Sequence, residues 1–157
     1  MLKILDVDKK ILLQLLRDSR QTYMNIAKNS KVTRQTVAKK IEEYIKQGII
    51  RKFIPQLDPE ELGLTIQAYI LVREDPQSNF RSQNDEEFSE IPQVAKFNRI
   101  FGNYSSILEV IVKDKDELTD IVKRIHTMPG IRETETFIVY STIKDDQTAP
   151  FRHVLSD

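Results

Sequence analysis

The chain has 157 residues, of which 39% are hydrophobic and 31% are charged, and it contains no cysteine. This composition is sufficient for one or two small packed domains, and it excludes a disulfide framework and thiolate metal sites. Residues 1–54 contain 13 basic and 5 acidic residues, a net charge of +8, whereas residues 55–157 carry a net charge of −8. Such asymmetry favours a nucleic-acid-binding segment followed by an acidic domain. The alternative is an uneven surface charge without a partner.

The sequence gives no sign of membrane insertion or export. No apolar run approaches the roughly 20 residues that a membrane-spanning helix requires. The first residues also lack the apolar core of a signal peptide. Together with the absence of cysteine, these features predict a cytoplasmic protein.

The first 50 residues show the spacing of three helices. Apolar side chains recur at helical intervals over residues 5–18, 22–29 and 33–47. The last two segments are separated by a tight turn, which is typical of a helix-turn-helix unit. After Gly48 the apolar spacing changes to every second residue, which predicts a strand over residues 49–54.

The remainder of the chain alternates strand and helix patterns. Strands are predicted at 64–73, 94–101, 106–113 and 132–143, with helices at 85–91 and 115–128 and a loop over 74–84. The resulting order is that of a ferredoxin-like βαββαβ domain, so the whole chain is predicted to be an α+β protein. The expected organisation is a helix-turn-helix (winged-helix-like) domain at 1–48, a strand and linker at 49–63, a ferredoxin-like domain at 64–146 and a C-terminal tail at 147–157.

The third predicted helix presents polar and basic side chains in its first two turns and becomes acidic at Glu42 and Glu43. Its apolar face, predicted to pack on the other two helices, contains Val37, Ile41, Tyr44 and Ile45. The first turns of a recognition helix approach base edges, where Gln pairs with adenine and Arg or Lys with guanine. We therefore predict DNA contacts from Thr33, Arg34, Gln35, Thr36, Lys39 and Lys40, and phosphate contacts from Lys28, Lys31, Arg51 and Lys52.

The sequence from Leu5 to Phe53 resembles the N-terminal pattern of the Lrp/AsnC (leucine-responsive regulator/asparagine regulator) family of prokaryotic transcription factors. The shared features are an opening Leu-Asp-x-x-Asp, the run Ile-Leu-x-x-Leu-x-x-Asp-x-Arg, and the pairs Ile-Ala and Thr-Val followed by Gly-Ile-Ile. Two later segments, IPQVAKFNRIFGNYSSILEVIV and GIRETETFIVYSTIK, are similar to parts of the family's effector and assembly domain. The resemblance covers about residues 4–144.

The resemblance implies a homodimer that assembles into a tetramer or octamer, and a possible effector such as an amino acid or another small metabolite. It places the effector site at Gly102, Asn103, Tyr104 and Ser105, with Thr134 and Thr136 on the last strand. Two residues depart from the family pattern. Lys40 stands where arginine is usual, and Ser105 stands where aspartate is common, so no carboxylate is available there to bind an ammonium group. A hairpin turn without a ligand is the alternative interpretation of this loop.

The residues predict no catalytic site, no metal site and no cofactor. The two histidines, His126 and His153, lack carboxylate partners at ligand spacing, and the four glycines form no phosphate-binding loop. We therefore predict a sequence-specific DNA-binding transcriptional regulator and not an enzyme. The alternatives are an architectural DNA-binding protein of low specificity, and a ferredoxin-like ligand-binding or assembly module whose helices do not bind DNA.

Overall fold

The computed structural model describes residues 4–76 and 79–156. The chain forms two compact units: the residues up to Gln56 together with those from Lys144 onward, and the residues Leu57–Ile143. Among the described residues, no helix combines the length and the apolar character needed to cross a bilayer.

The first unit contains the three predicted helices, α1 (Asp6–Arg17), α2 (Tyr23–Ser30) and α3 (Arg34–Lys46). Two threonines cap the last two helices. The Thr22 hydroxyl accepts the backbone N–H of Asn25 at 3.2 Å, and the Thr33 hydroxyl accepts that of Thr36 at 3.1 Å. Each cap satisfies an N–H group that the helix itself leaves unpaired. The helix-turn-helix arrangement predicted from the sequence is confirmed.

The core of this unit is made by one apolar face from each of the three helices. Its buried hydrophobic residues are Ile11, Leu12, Leu15, Ile26, Ala27, Val37, Ile41 and Tyr44. Ile45, which the helical projection placed on the same face, is half exposed, so this part of the prediction is wrong. Ile45 lies at the edge of the apolar face of α3, and Tyr44 occupies the position on that face that points towards α1.

The turn between α2 and α3 begins with an unusual backbone conformation. Lys31 has φ of 57° and ψ of 43°, and it is the only non-glycine residue with positive φ in the described part of the chain. At the other end of α3, Gly48 has φ of 73°, and its N–H donates to Ile45. Glycine adopts this left-handed conformation readily, whereas a lysine there is strained.

Two predictions for the ends of this unit need correction. Residues 49–54 form no strand within the chain, because no neighbouring segment supplies ladder hydrogen bonds. Residues 147–157, predicted to be a tail, include a helix α6 (Ala149–Ser156) that packs on α1. Pattern analysis missed α6 because eight residues are too few for a reliable helical period.

The second unit is a four-stranded antiparallel sheet with two helices. Its elements are β1 (Ile66–Glu74), α4 (Arg81–Ser89), β2 (Val94–Arg99), β3 (Ser106–Val112), α5 (Lys115–His126) and β4 (Ile131–Ile138). The strand order is β2-β3-β1-β4, and a short 3₁₀ turn, Glu60–Leu62, precedes β1. The predicted α+β class with a ferredoxin-like βαββαβ domain is confirmed.

Alternating residues divide this sheet into two faces. The face covered by the helices carries the fully buried Ala68, Ile70 and Val72 of β1, and their partners on β3 and β4 lie on the same side. The largest differences between predicted and observed boundaries are at the start of α4 and the end of β4. Helix α4 begins at Arg81, inside the predicted loop, because its few apolar residues give no clear helical period. Strand β4 ends at Ile138, where its pairing with β1 ends.

Candidate DNA-binding and effector surfaces

Three side chains in the first turns of α3 are exposed and have no partner among the described residues. Arg34, Gln35 and Lys39 are exposed, and none of them forms an ion pair or a side-chain hydrogen bond with any other described residue. Long side chains that no intramolecular partner holds are available to a ligand in solution. The structure therefore brings these three predicted DNA contacts together on one end of one helix.

Thr33 and Thr36 serve the helix itself. Besides capping the Thr36 N–H, the Thr33 hydroxyl lies 2.9 Å from the Thr36 hydroxyl. Thr36 is half buried, whereas Thr33 is exposed. The pair fixes where α3 begins, and thus the position of Arg34 and Gln35 relative to the preceding turn.

Lys40 differs from the other basic residues among the predicted DNA contacts because its side chain forms ion pairs inside the unit. Its ammonium lies 3.1 Å from Asp8 Oδ1 and 3.5 Å from Glu43 Oε2. Asp8 is 6% exposed and also accepts the Tyr44 hydroxyl at 2.6 Å and the Leu5 N–H at 3.0 Å. Lys40 and Tyr44, one turn apart on α3, are thereby joined to Asp8 in the first turn of α1.

The pKa values of this cluster follow from its geometry. Burial alone would raise the pKa of Asp8, but the hydrogen bonds from Tyr44, Leu5 and Lys40 lower it overall. Burial, followed by the hydrogen bond to Asp8, raises the pKa of Tyr44. The cluster therefore holds a charged carboxylate and a neutral phenol at neutral pH, and it fixes the rotation of α3 about its own axis.

The four predicted phosphate contacts are also exposed. Lys28 and Lys31 lie at the end of α2 and in the turn before α3, and Arg51 and Lys52 follow α3. Within the described residues none of the four has an ion-pair partner. They belong to the same compact unit as α3, so the excess positive charge is concentrated there.

In the second unit, Ser105 is built into the strand ends. Its N–H donates to Val72 O at 2.9 Å, and its hydroxyl lies 3.0 Å from Val72 O and 3.1 Å from Glu74 Oε2. The hydroxyl also accepts the Glu74 N–H at 3.2 Å. Ser105 therefore connects the start of β3 to the end of β1 without contributing a charge.

Glu74 is a buried carboxylate that the sequence analysis missed. It is 5% exposed and is held by the Arg99 guanidinium, by Asn84 Nδ2 at 2.9 Å and by the Ser105 hydroxyl. Burial acts to raise the pKa of Glu74, but the hydrogen bonds from Arg99, Asn84 and Ser105 lower it overall. The signal was present in the sequence: continuing the period of two by one residue beyond Arg73 places Glu74 on the buried face.

The predicted effector residues do not converge on one face of the sheet. Thr134 pairs with Val72 and Thr136 with Ile70, so both lie on the helix-covered side, where the His126 ring contacts the Thr134 hydroxyl. Tyr104, by contrast, donates its hydroxyl to Glu135. Glu135 pairs with Leu71, so it lies on the opposite, open face.

Arg73 holds the loop Gly102–Ser105 against the open face. Its Nε donates to Asn103 O at 2.9 Å, its guanidinium lies 5.1 Å from the centre of the Tyr104 ring, and it forms a 3.0 Å ion pair with Glu133. Gly102, with φ of 142°, occupies a backbone region open mainly to glycine. Within residues 4–76 and 79–156, no cluster of three or more His, Cys, Asp or Glu side chains could hold a metal ion.

A helix-turn-helix unit with free polar side chains at the start of its last helix, joined to an antiparallel ferredoxin-like domain, defines a class of two-domain DNA-binding proteins. Comparison with known families places the chain within this class. Residues 4–51 match a winged helix-turn-helix DNA-binding domain, and residues 67–149 match the Lrp/AsnC ligand binding domain. The chain belongs to the Lrp/AsnC family, as its resemblance to that family predicted.

Similar proteins of known sequence share nearly the full length of the chain. It is 27% identical to HTH-type transcriptional regulator FL11 of Pyrococcus horikoshii, covering 94% of this chain and 96% of that one. It is 32% identical to a further HTH-type transcriptional regulator of the same organism, covering 88% and 87%.

Solved structures share the fold. An AsnC family transcriptional regulator from Agrobacterium tumefaciens superimposes with a TM-score of 0.86 at 25% identity, covering 94% of this chain and 97% of that chain. A Neisseria meningitidis transcriptional regulator in complex with L-Met has a TM-score of 0.88 at 21% identity, covering 98% and 99%.

Proposed function

We propose that the protein is a sequence-specific DNA-binding transcriptional regulator that acts in the cytoplasm. The observation that carries this proposal is the group of exposed side chains at the start of α3, Arg34, Gln35 and Lys39, which have no partner among the residues that the structure describes. They lie in the basic part of the chain, whose first 54 residues have a net charge of +8. Gln35 is suited to pairing with adenine, and Arg34 with guanine.

The other basic residues divide into two groups by their surroundings. Lys28, Lys31, Arg51 and Lys52 are exposed and suited to phosphate contacts that set the register on the duplex. Lys40 is engaged with Asp8 and Glu43. We assign to Lys40, with Thr33, the role of orienting α3 and not that of contacting a base.

We further propose that the second unit mediates self-association into a dimer and larger even-numbered assemblies. Among the described residues of the second unit, no helix covers the open face of the sheet, although β1 and its neighbours place apolar side chains on it, namely Tyr69, Leu71, Ile107, Ile111 and Phe137. An uncovered apolar sheet face is stabilised by packing against another sheet. Dimerisation also doubles the number of base contacts, which a single small module needs for specificity.

An effector site at Gly102–Ser105 and β4 remains part of this proposal. Support comes from the Neisseria regulator of the same fold, which binds L-Met. In the present chain the nearest buried carboxylate, Glu74, is paired with Arg99. We therefore expect a ligand that does not depend on an ammonium–carboxylate contact at Ser105. A thermal-shift screen against amino acids and other metabolites tests this, and a selective loss of binding by an amino acid whose amine is blocked would contradict it.

DNA binding is tested with duplexes selected from random sequence and with the promoter region of the protein's own gene. Gln35→Ala should lose about 1–3 kcal/mol of discrimination at one base step. Lys39→Ala should weaken binding to all sequences and reduce the salt dependence by about one phosphate contact. Lys46→Ala, at the last turn of the same helix, is the matched control and should change neither quantity.

The results separate the proposed function from its alternatives. Equal affinity for selected and random duplexes, with Gln35→Ala without effect on preference, would indicate an architectural DNA-binding protein. Absence of salt-dependent binding to any duplex would indicate a ligand-binding or assembly module.

A further inference from the structure

All of the C-terminal helix α6 except its first residue lies beyond both matched family domains. The Lrp/AsnC ligand binding domain ends at residue 149, whereas α6 spans Ala149–Ser156. The chain therefore leaves the second unit after Ile143 and returns to the unit that contains the helix-turn-helix. As a consequence, the polypeptide passes between the two units twice, between residues 56 and 57 and between residues 143 and 144.

Helix α6 docks on α1 through one side. Leu155 is partly buried against the apolar core of the first unit, and with Ser156 it borders a shallow groove lined by Asp6, Lys9, Lys10 and Leu13 of α1. The neighbouring Val154 is 65% exposed and points away from this contact. Leu155 thus adds apolar burial to a core that α1, α2 and α3 already form without it.

The turn before α6 is held by a compact polar network. The Asp146 carboxylate accepts the backbone N–H of Thr148 at 3.1 Å and the Thr148 hydroxyl at 2.8 Å, and it forms an ion pair with Arg152 one turn into the helix. Together with the docking of Leu155, this network fixes both ends of the helix.

The two passages of the chain are also connected to each other. The side-chain amide of Gln56, just before the first passage, donates to Asp145 Oδ2, just after the second passage, at 3.2 Å. A unit attached by one chain can swivel about that attachment. Two attachments held side by side permit bending about the line that joins them but oppose swivelling.

We propose that α6 is a second tether that restricts rotation of the DNA-binding unit and thereby makes DNA binding depend on the spacing between half-sites. This inference rests on the proposed function, because it presupposes that two recognition helices of an oligomer bind one duplex. Moving a half-site by half a helical turn, about 5 base pairs, places it on the opposite side of the duplex. A recognition helix free to swivel can follow this change, whereas one held at two points cannot.

The test measures affinity for duplexes that carry two selected half-sites at spacings varied in single base-pair steps over one helical turn. The wild-type affinity should vary at least roughly tenfold between the best and worst spacing, because two linked sites gain from geometry only when both can bind. Leu155→Asp, which places a charge in the docking contact, should reduce this variation to about two- to threefold while leaving affinity for a single half-site unchanged.

Val154→Asp is the matched control, since it adds the same charge on the exposed side of α6, and it should keep the wild-type spacing dependence. Hydrogen exchange of α1 verifies that Leu155→Asp releases α6, and a chain ending at Lys144 provides a second variant if the substitution prevents folding. An undocked α6 with wild-type spacing dependence would overturn the inference, as would specific wild-type binding that is insensitive to spacing. Absence of specific binding by the wild-type chain would instead overturn the proposed function.

Discussion

At the scale of single residues, two buried carboxylates determine how the chain presents its surfaces. Asp8 connects α1 to α3 through Tyr44 and Lys40, and Glu74 connects β1 to β2 and the start of β3 through Arg99 and Ser105. Each is paired and hydrogen-bonded, which offsets the cost of burying a charge. Both networks are built from residues that are distant in sequence, and each fixes the position of a nearby segment for which a binding role is proposed.

Ser105→Asp tests the network around Glu74. The new carboxylate would lie beside the buried Glu74, and like-charge repulsion raises the pKa of one member of such a pair. Stability is lost as pH rises through that raised pKa. The variant should therefore be close to wild type below about pH 4 and less stable at pH 7 by at least about 1.4 kcal/mol, the equivalent of one pKa unit.

Urea unfolding at both pH values measures the difference. The double variant Ser105→Asp/Glu74→Gln is the control, because it keeps a single carboxylate beside Arg99 and should recover most of the stability at pH 7. A Ser105→Asp variant as stable as wild type at neutral pH would show that Ser105 and Glu74 are not coupled as the distances indicate.

At the scale of secondary-structure elements, caps and turns position the recognition helix. Thr33 fixes the start of α3 and Gly48 fixes its end, and in both cases the residue type is suited to its backbone conformation. Lys31 is the exception, since it holds a left-handed conformation at the turn between α2 and α3. Its exposed cation beside the start of α3 is consistent with a role in DNA binding retained despite local strain.

Lys31→Asn separates these two effects. Asparagine tolerates the left-handed conformation better than lysine, so the free energy of unfolding should be unchanged or higher by about 0.5 kcal/mol. The salt dependence of DNA binding should fall by about one phosphate contact. Lys28→Asn removes the same charge from the last turn of α2 without relieving strain, so it should lower stability. A clear loss of stability in Lys31→Asn would contradict the strain argument.

At the scale of the whole molecule, two regions present apolar side chains that a second copy can cover. The open sheet face is one such region, and the segment 49–54, which finds no partner strand within the chain, is another. Phe53 and Ile54 are about half or more exposed. We propose that this segment pairs with its equivalent in a second copy.

Leu71→Asp tests self-association through the sheet face. A charge at the centre of an apolar interface is not compensated on association, so the variant should sediment as a smaller species than wild type at equal concentration. Leu71 does not belong to the buried core of the second unit, so the fold should persist. Thr119→Asp, at an exposed position of α5, is the control and should sediment like wild type. A Leu71→Asp variant with unchanged sedimentation would place the interface elsewhere.

The sequence determined the features that depend on local spacing. Helical periodicity predicted α1, α2 and α3, and alternation of apolar and polar residues predicted the four strands. The predicted DNA contacts were also identified from helical spacing. The structure places Arg34, Gln35 and Lys39 together because all three lie within two turns of one helix. These properties are set by residues two to four positions apart, so the order of residues in the chain is enough to predict them.

Only the tertiary structure decided the features that depend on contacts between distant residues. Lys40 and Lys39 are adjacent in sequence, but only Lys40 meets Asp8, 32 positions earlier. Tyr104 and Thr134 were predicted to share a site, yet strand pairing puts them on opposite sides of the sheet. Helix α6 is ordered by α1, from which it is separated by more than 130 residues. In each case the deciding interaction is a packing or ionic contact whose partner no local pattern specifies.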